Sequence, residues 1–106
     1  MISRMWRGWT TAANADAYEQ LLLNTILPGI RRRELPGYHG AYLYRRDCGA
    51  EVEFVTTMLF DSLEGVKAFA GPNYEHGVVP DAAQKLLRRF DPVSTHYEVR
   101  LAPDRG

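Results

Sequence analysis

The sequence predicts an α+β domain in the order β-α-β-β-α-β, the ferredoxin-like arrangement, with two helices on one face of a four-stranded antiparallel sheet. Three observations predict it. Residues 38–60 hold two runs of aromatic and β-branched residues around Asp47-Cys48-Gly49-Ala50, the pattern of a hairpin. Apolar residues at helical spacing lie before and after that hairpin. Short runs mixing apolar and charged residues close both ends of the chain, as edge or central strands of one sheet would. At 106 residues there is room for one domain, 1–106, with a core of its own, and only Pro103 to Gly106 read as a loose tail.

Each element has a local reason. Residues 2–10 set Ile2, Met5, Trp6 and Trp9 among charges and read as the first strand. Asn14 is a suitable N-cap, with Asp16 in the favourable first turn. Tyr18, Leu22, Ile26 and Ile30 then fall on one helical line, and Leu21, Leu23 and Leu27 widen the stripe beyond one core-facing seam. Pro28-Gly29 should kink or interrupt this helix, and Arg31-Arg32-Arg33 complement the dipole at its end. Pro36-Gly37 punctuates the change to the hairpin strands, Tyr38 to Arg46 and Glu51 to Phe60. Asp61 with Glu64 has capping-box spacing, and Leu63, Val66, Phe69 and Ala70 form a narrow stripe that Gly71-Pro72 stops. A short helix is expected from Asp81 to Phe90, with Ala82, Ala83, Leu86, Leu87 and Phe90 on one face. Asp91-Pro92 ends it before a last strand, Thr95 to Leu101.

The hairpin does not alternate cleanly. Val52, Phe54, Thr56, Met58 and Phe60 alternate with Glu53, Val55, Thr57 and Leu59, and both sets are largely apolar. A sheet with helices on one face would leave the other apolar face open, a patch larger than monomers usually expose. Two sheets packed face to face across a two-fold axis would cover it, so a homodimer is expected. The same pattern leaves open which set meets the helices.

Several classes are excluded. Thirteen Lys and Arg balance thirteen Asp and Glu, so there is no electrostatic footprint for nucleic acid or an anionic membrane. No apolar run is long enough to span a bilayer, and Met1 to Arg7 is not a signal sequence, so a cytoplasmic location is expected. Cys48 is the single cysteine, in the hairpin turn with no base beside it in sequence. His39, His76 and His96 lack metal-ligand spacing, so neither metal nor cofactor is expected. Phosphate-loop, GxGxxG, HExxH and GxSxG patterns are absent.

Ile2-x-Arg4-x-Trp6-Arg7-Gly8, Pro36-Gly37, Phe60-Asp61-Ser62, Lys67-Ala68-Phe69-Ala70-Gly71 and His96-Tyr97-Glu98-Val99 together resemble the antibiotic biosynthesis monooxygenase family, over residues 1–101 and in the right order. That resemblance implies a dimeric α+β barrel. It also implies cofactor-independent oxygenation of a small aromatic or phenolic substrate, haem degradation, or no catalysis, since the family is divided in activity. Its oxygenase and haem-degrading members use an Asn on the first strand, a Trp on the second helix and a nearby His. Here the first strand reads Arg4, Trp6, Arg7, the helix position holds Phe69, and His76 lies near. With two of three positions changed, neither activity is carried over residue by residue.

The residues themselves nominate a site. His96 has the unperturbed pKa, about 6.5, of a general base able to take a phenolic proton, and equally suits a hydrogen-bonded role in the sheet or interface. Trp6, Phe69 and Tyr44 would wall an aromatic pocket, with Tyr44 also a donor, or simply fill core and interface. Glu53 and Arg7 or Arg4 are charges on inner strands, which points to a cross-strand bridge or to an Arg anchoring a carboxylate or enolate. Two functional classes follow: an oxygenase of a small phenol without metal or flavin, and a non-catalytic dimeric domain that binds a small ligand. An isomerase or decarboxylase using His96 and an Arg is a third.

Overall fold

The computed structural model describes residues 1–103, so the expected tail falls outside them for 104–106. One antiparallel sheet is built on β1 (Ile2–Thr11) at its centre. On one side β1 pairs with β3 (Glu51–Phe60), which pairs with β2 (Tyr38–Asp47) across the expected hairpin. On the other side two short strands share one lane along β1. These are β4 (Leu87–Phe90), beside Gly8 to Thr10, and β5 (Thr95–Glu98), beside Ile2 to Met5.

The sheet therefore has five strands and not four, because Leu87 to Phe90 join the lane before Asp91-Pro92 interrupts it, and the expected last strand, Thr95 to Leu101, stops at Glu98. The expected helix over 81–90 is corrected with it. Only Asp81–Gln84 is helical (called α4), and Leu87 to Phe90 turn into the sheet edge. The spacing of Leu86, Leu87 and Phe90 fitted a helix, but pairing with β1 and the bonds from Arg89 to Glu51 hold this segment extended. Gly8 admits the arrangement: a Cβ there would lie 2.9 Å from both Leu87 Cδ2 and Trp6 Cη2.

The first helix runs as α1 (Ala15–Leu21), a π-helical segment (Leu22–Ile26) and α2 (Leu27–Arg32). The helix continues through Pro28-Gly29, and its irregularity sits one turn earlier. Pro28 cannot donate to the carbonyl four residues back, and that residue, Asn24, lies in the π segment. Asn14 makes no side-chain cap; its amide group donates to the Leu86 carbonyl instead, at 3.4 Å. The capping box at Asp61 does not form either. The N-cap of α3 (Leu63–Ala70) is Ser62, and Asp61 bonds the imidazole of His39 across the end of β2. Gly71, at φ 88°, ends α3 as expected of a glycine stop. No helix is long and apolar enough to cross a membrane among the described residues.

Register resolves the ambiguous hairpin. Val52, Phe54, Thr56, Met58 and Phe60 share a face with Ile2, Arg4, Trp6, Gly8 and Thr10, and all the helices pack there. Two clusters form on that face. Ala15, Tyr18 and Leu22 meet Val52, Phe54 and Ala83, with Tyr18 and Phe54 edge to face at 4.9 Å. Met58 and Phe60 meet Val66 and Phe69 of α3. The opposite face carries Met5, Trp9, Tyr42, Tyr44, Val55, Leu59 and Tyr97, and no helix covers it. Tyr42, Tyr44 and Tyr97 are each about half exposed there.

Candidate functional site

Between the two clusters the packing is incomplete. A cavity of about 60 Å³ remains, with Thr56 and Met58 of β3 beneath it and Leu22, Ile26, Leu27 and Ile30 along one wall. That wall is the π segment and the turn after it. A π turn carries an extra residue per turn and displaces the side chains that follow, which is why such segments recur at functional sites. Trp6, Tyr18 and Phe69 border the same space. Val78 and Pro80 border it too and are exposed, so the cavity reaches the surface beside segment 78–80. Trp6 is fixed by its indole N–H, which donates to the Asp91 carbonyl at 2.8 Å. Gly77 makes that possible: a Cβ there would stand 2.8 Å from the indole nitrogen.

Arg4 is the one charged side chain on the cavity. It is 3 % exposed, and no carboxylate among the described residues reaches it. Its Nη1 donates to the Tyr74 carbonyl and to His96 Nε2 at 3.0 Å, and its Nη2 donates to the His76 carbonyl at 2.8 Å. The guanidinium also lies over the Phe69 ring, 5.5 Å from its centre, with Arg33 on the same ring at 5.4 Å. Burial lowers the Arg4 pKa to about 10, so the group stays cationic at neutral pH.

His96 sits on β5 opposite Arg4 and edge-on to Tyr74 at 5.2 Å. Burial and then the Arg4 charge hold its pKa below the usual 6.5, against a weaker upward pull from Glu75. An Nε2 that accepts from Arg4 implies a neutral ring protonated on Nδ1. The nitrogen a general base would use is thus directed at Arg4, and His96 orients the guanidinium from behind the cavity. The pH dependence follows. The unfolded chain protonates His96 near 6.5 while the folded chain resists, so stability falls as pH drops through 6.5 towards 5. Calorimetry from pH 7 to 5 should show a lower Tm in the native protein and a shallower fall in His96→Gln; equal slopes would refute the assignment.

A scan against protein-family models and a search of curated proteins returned no match. The site therefore rests on its own geometry.

Of the residues nominated from sequence, Trp6 and Phe69 border the cavity and His96 stands behind Arg4. Tyr44 lies on the opposite face, stacked on Tyr42 at 5.9 Å, because its register partner is Val55. Glu53 shares that face. It forms the expected cross-strand bridge, but with Arg46, at 2.9 Å, and not with Arg4 or Arg7. Arg7 also points away and pairs with Asp91 at 3.1 Å. His76 contributes its backbone carbonyl to Arg4, while its side chain is exposed. No three His, Cys, Asp or Glu side chains among the described residues converge as a metal site requires. Sequence reasoning missed Tyr18 as a cavity residue and missed Ser94 altogether. The over-wide stripe at 21–30 was the available signal for the wall; nothing in sequence marked Ser94, which lies in the break between β4 and β5.

Proposed function

We propose that the chain is a small-molecule domain that works as a homodimer, each copy holding a small, flat, largely apolar ligand between its sheet and helix 15–32. The observation that carries this reading is the apolar cavity between two otherwise closed clusters, walled by Trp6, Phe69 and a π turn. Its volume lies below the roughly 150 Å³ that admits benzene, so a ligand would seat one end inside and extend past Val78 and Pro80. The sheet order, with its split last lane, is compatible with a ferredoxin-like domain. Two such sheets packed on their open faces would form the dimeric α+β barrel that the resemblance implies. Titration with phenol, followed by methyl NMR, should give saturable shifts at Leu22, Ile26 and Val79. No saturable shift at millimolar phenol would refute the reading.

A second reading, cofactor-independent oxygenation of a phenol, is supported by Arg4. A buried guanidinium beside a cavity with apolar walls would favour a phenolate, which could then pass an electron to dioxygen. His96 would have to release Arg4 to take the phenolic proton, and Tyr44 has no part, since it lies across the sheet. Oxygen uptake with an anthrone-type substrate in metal-free protein, lost in His96→Ala, would support it. Full activity in that variant would remove His96 as the base.

A further inference from the structure

Taking a guanidinium out of water costs several kcal/mol, and proteins ordinarily offset that cost with a carboxylate. Arg4 has none. Its three acceptors are two peptide carbonyls and a neutral imidazole, which satisfy hydrogen bonds and leave the charge uncompensated. Pinning the segment at Tyr74 and His76 to the sheet accounts for one N–H on each of Nη1 and Nη2, and His96 takes the second on Nη1. It does not account for Nε–H or the second Nη2–H, which have no partner among the described residues, nor for the placement of the cation on an apolar cavity. A second observation is independent of the first. Ser94 borders the same cavity, is 5 % exposed, and its Oγ is buried without a hydrogen-bond partner. A buried hydroxyl left unpaired costs about 1–3 kcal/mol; the hydroxyls of Thr10 and Thr57 are unpaired too among the described residues, and of the three only Ser94 borders the cavity.

We infer that Arg4 and Ser94 form an anion seat at the inner end of the cavity, which takes the carboxylate of a small acid whose remainder is apolar. The inference rests on the ligand-binding reading above and specifies the class of ligand. A carboxylate is acceptor-only and would take the free Nε–H and the Ser94 hydroxyl while neutralising the guanidinium. Leu22, Ile26, Val79 and Phe69 would then surround its short apolar remainder. A neutral ligand would fill the same space but leave the charge as it stands. Arg33, 5.4 Å from the centre of the Phe69 ring, adds positive potential near it.

The test compares isobutyrate with isobutyramide, which match in size and differ in charge, and uses phenol as a neutral reference. In the unmodified protein isobutyrate should bind at least about tenfold tighter than isobutyramide and should shift the Arg4 Nε–H resonance. Arg4→Met should erase the preference, and Ser94→Ala should weaken isobutyrate several-fold more than it weakens isobutyramide. Equal binding of acid and amide in the unmodified protein overturns the anion seat, whether or not Arg4→Met folds. If phenol still binds in that case, the ligand-binding reading stands and only the seat fails. Binding of none of the three probes overturns both.

Discussion

Phe60→Ala is expected to cost about 3–5 kcal/mol, a large part of the total stability of a domain this size. Phe60 is fully buried at the end of β3, 5.4 Å from the Tyr38 ring and 6.1 Å from that of Phe69. Relaxation into the vacated space is restricted on the α3 side, because Gly65 packs against both the Pro36 carbonyl and Phe60 itself. The loss would also remove a support of Phe69, which borders the cavity and covers Arg4. Urea denaturation should show a lower midpoint with an unchanged slope. The neighbouring variant Leu59→Ala calibrates the result. Leu59 points to the uncovered face, so under conditions that keep the chain monomeric its cost should be under about 1.5 kcal/mol. Equal costs at the two positions would refute the assignment of faces.

That pair of residues also shows how far the sequence could be read. The extent of β3, 51–60, is as the pattern of β-branched and aromatic residues predicts, since a strand between turn residues has few competing conformations. Its facing was not legible, because Val55 and Leu59 are as apolar as Phe54 and Phe60. Only the register with β1 and the packing of the helices separate them. The nominated site residues divide along the same line. Trp6 and Phe69 border the cavity, whereas Tyr44, Glu53 and Arg7 fall at the alternate strand positions and point the other way. The sequence nominates Arg7, with Arg4 as its alternative; parity instead assigns Arg4 to the helix-covered face. The helix expected at 81–90 fails for a different reason. Four of its residues are better satisfied by the free edge of β1, a long-range partner that no local pattern announces.

The apolar second face leads to the other large expected effect, on association. Met5, Trp9, Tyr42, Tyr44, Val55, Leu59 and Tyr97 form one surface, and its charged neighbours are already paired within the chain: Arg46 with Glu53, Arg89 with Glu51, and Arg7 with Asp91. A second copy meeting that face would therefore encounter apolar area and neutralised charge, with no like-charge repulsion to overcome, and the chain's net charge is zero. Two half-exposed tyrosines stacked on each other supply the kind of rigid aromatic anchor that dominates interfaces. At micromolar concentration sedimentation should report about 24 kDa, twice the 12.1 kDa of one chain. The double variant Tyr42→Glu, Tyr44→Glu would place four carboxylates in one apolar interface, at a cost of several kcal/mol, and should shift the dissociation constant by at least about 100-fold. Both positions are exposed in the single chain, so the variant should keep its monomer fold, and retained far-UV circular dichroism checks that. A native protein that sediments as a 12 kDa species, or a folded double variant that stays at 24 kDa, would refute the face-to-face dimer.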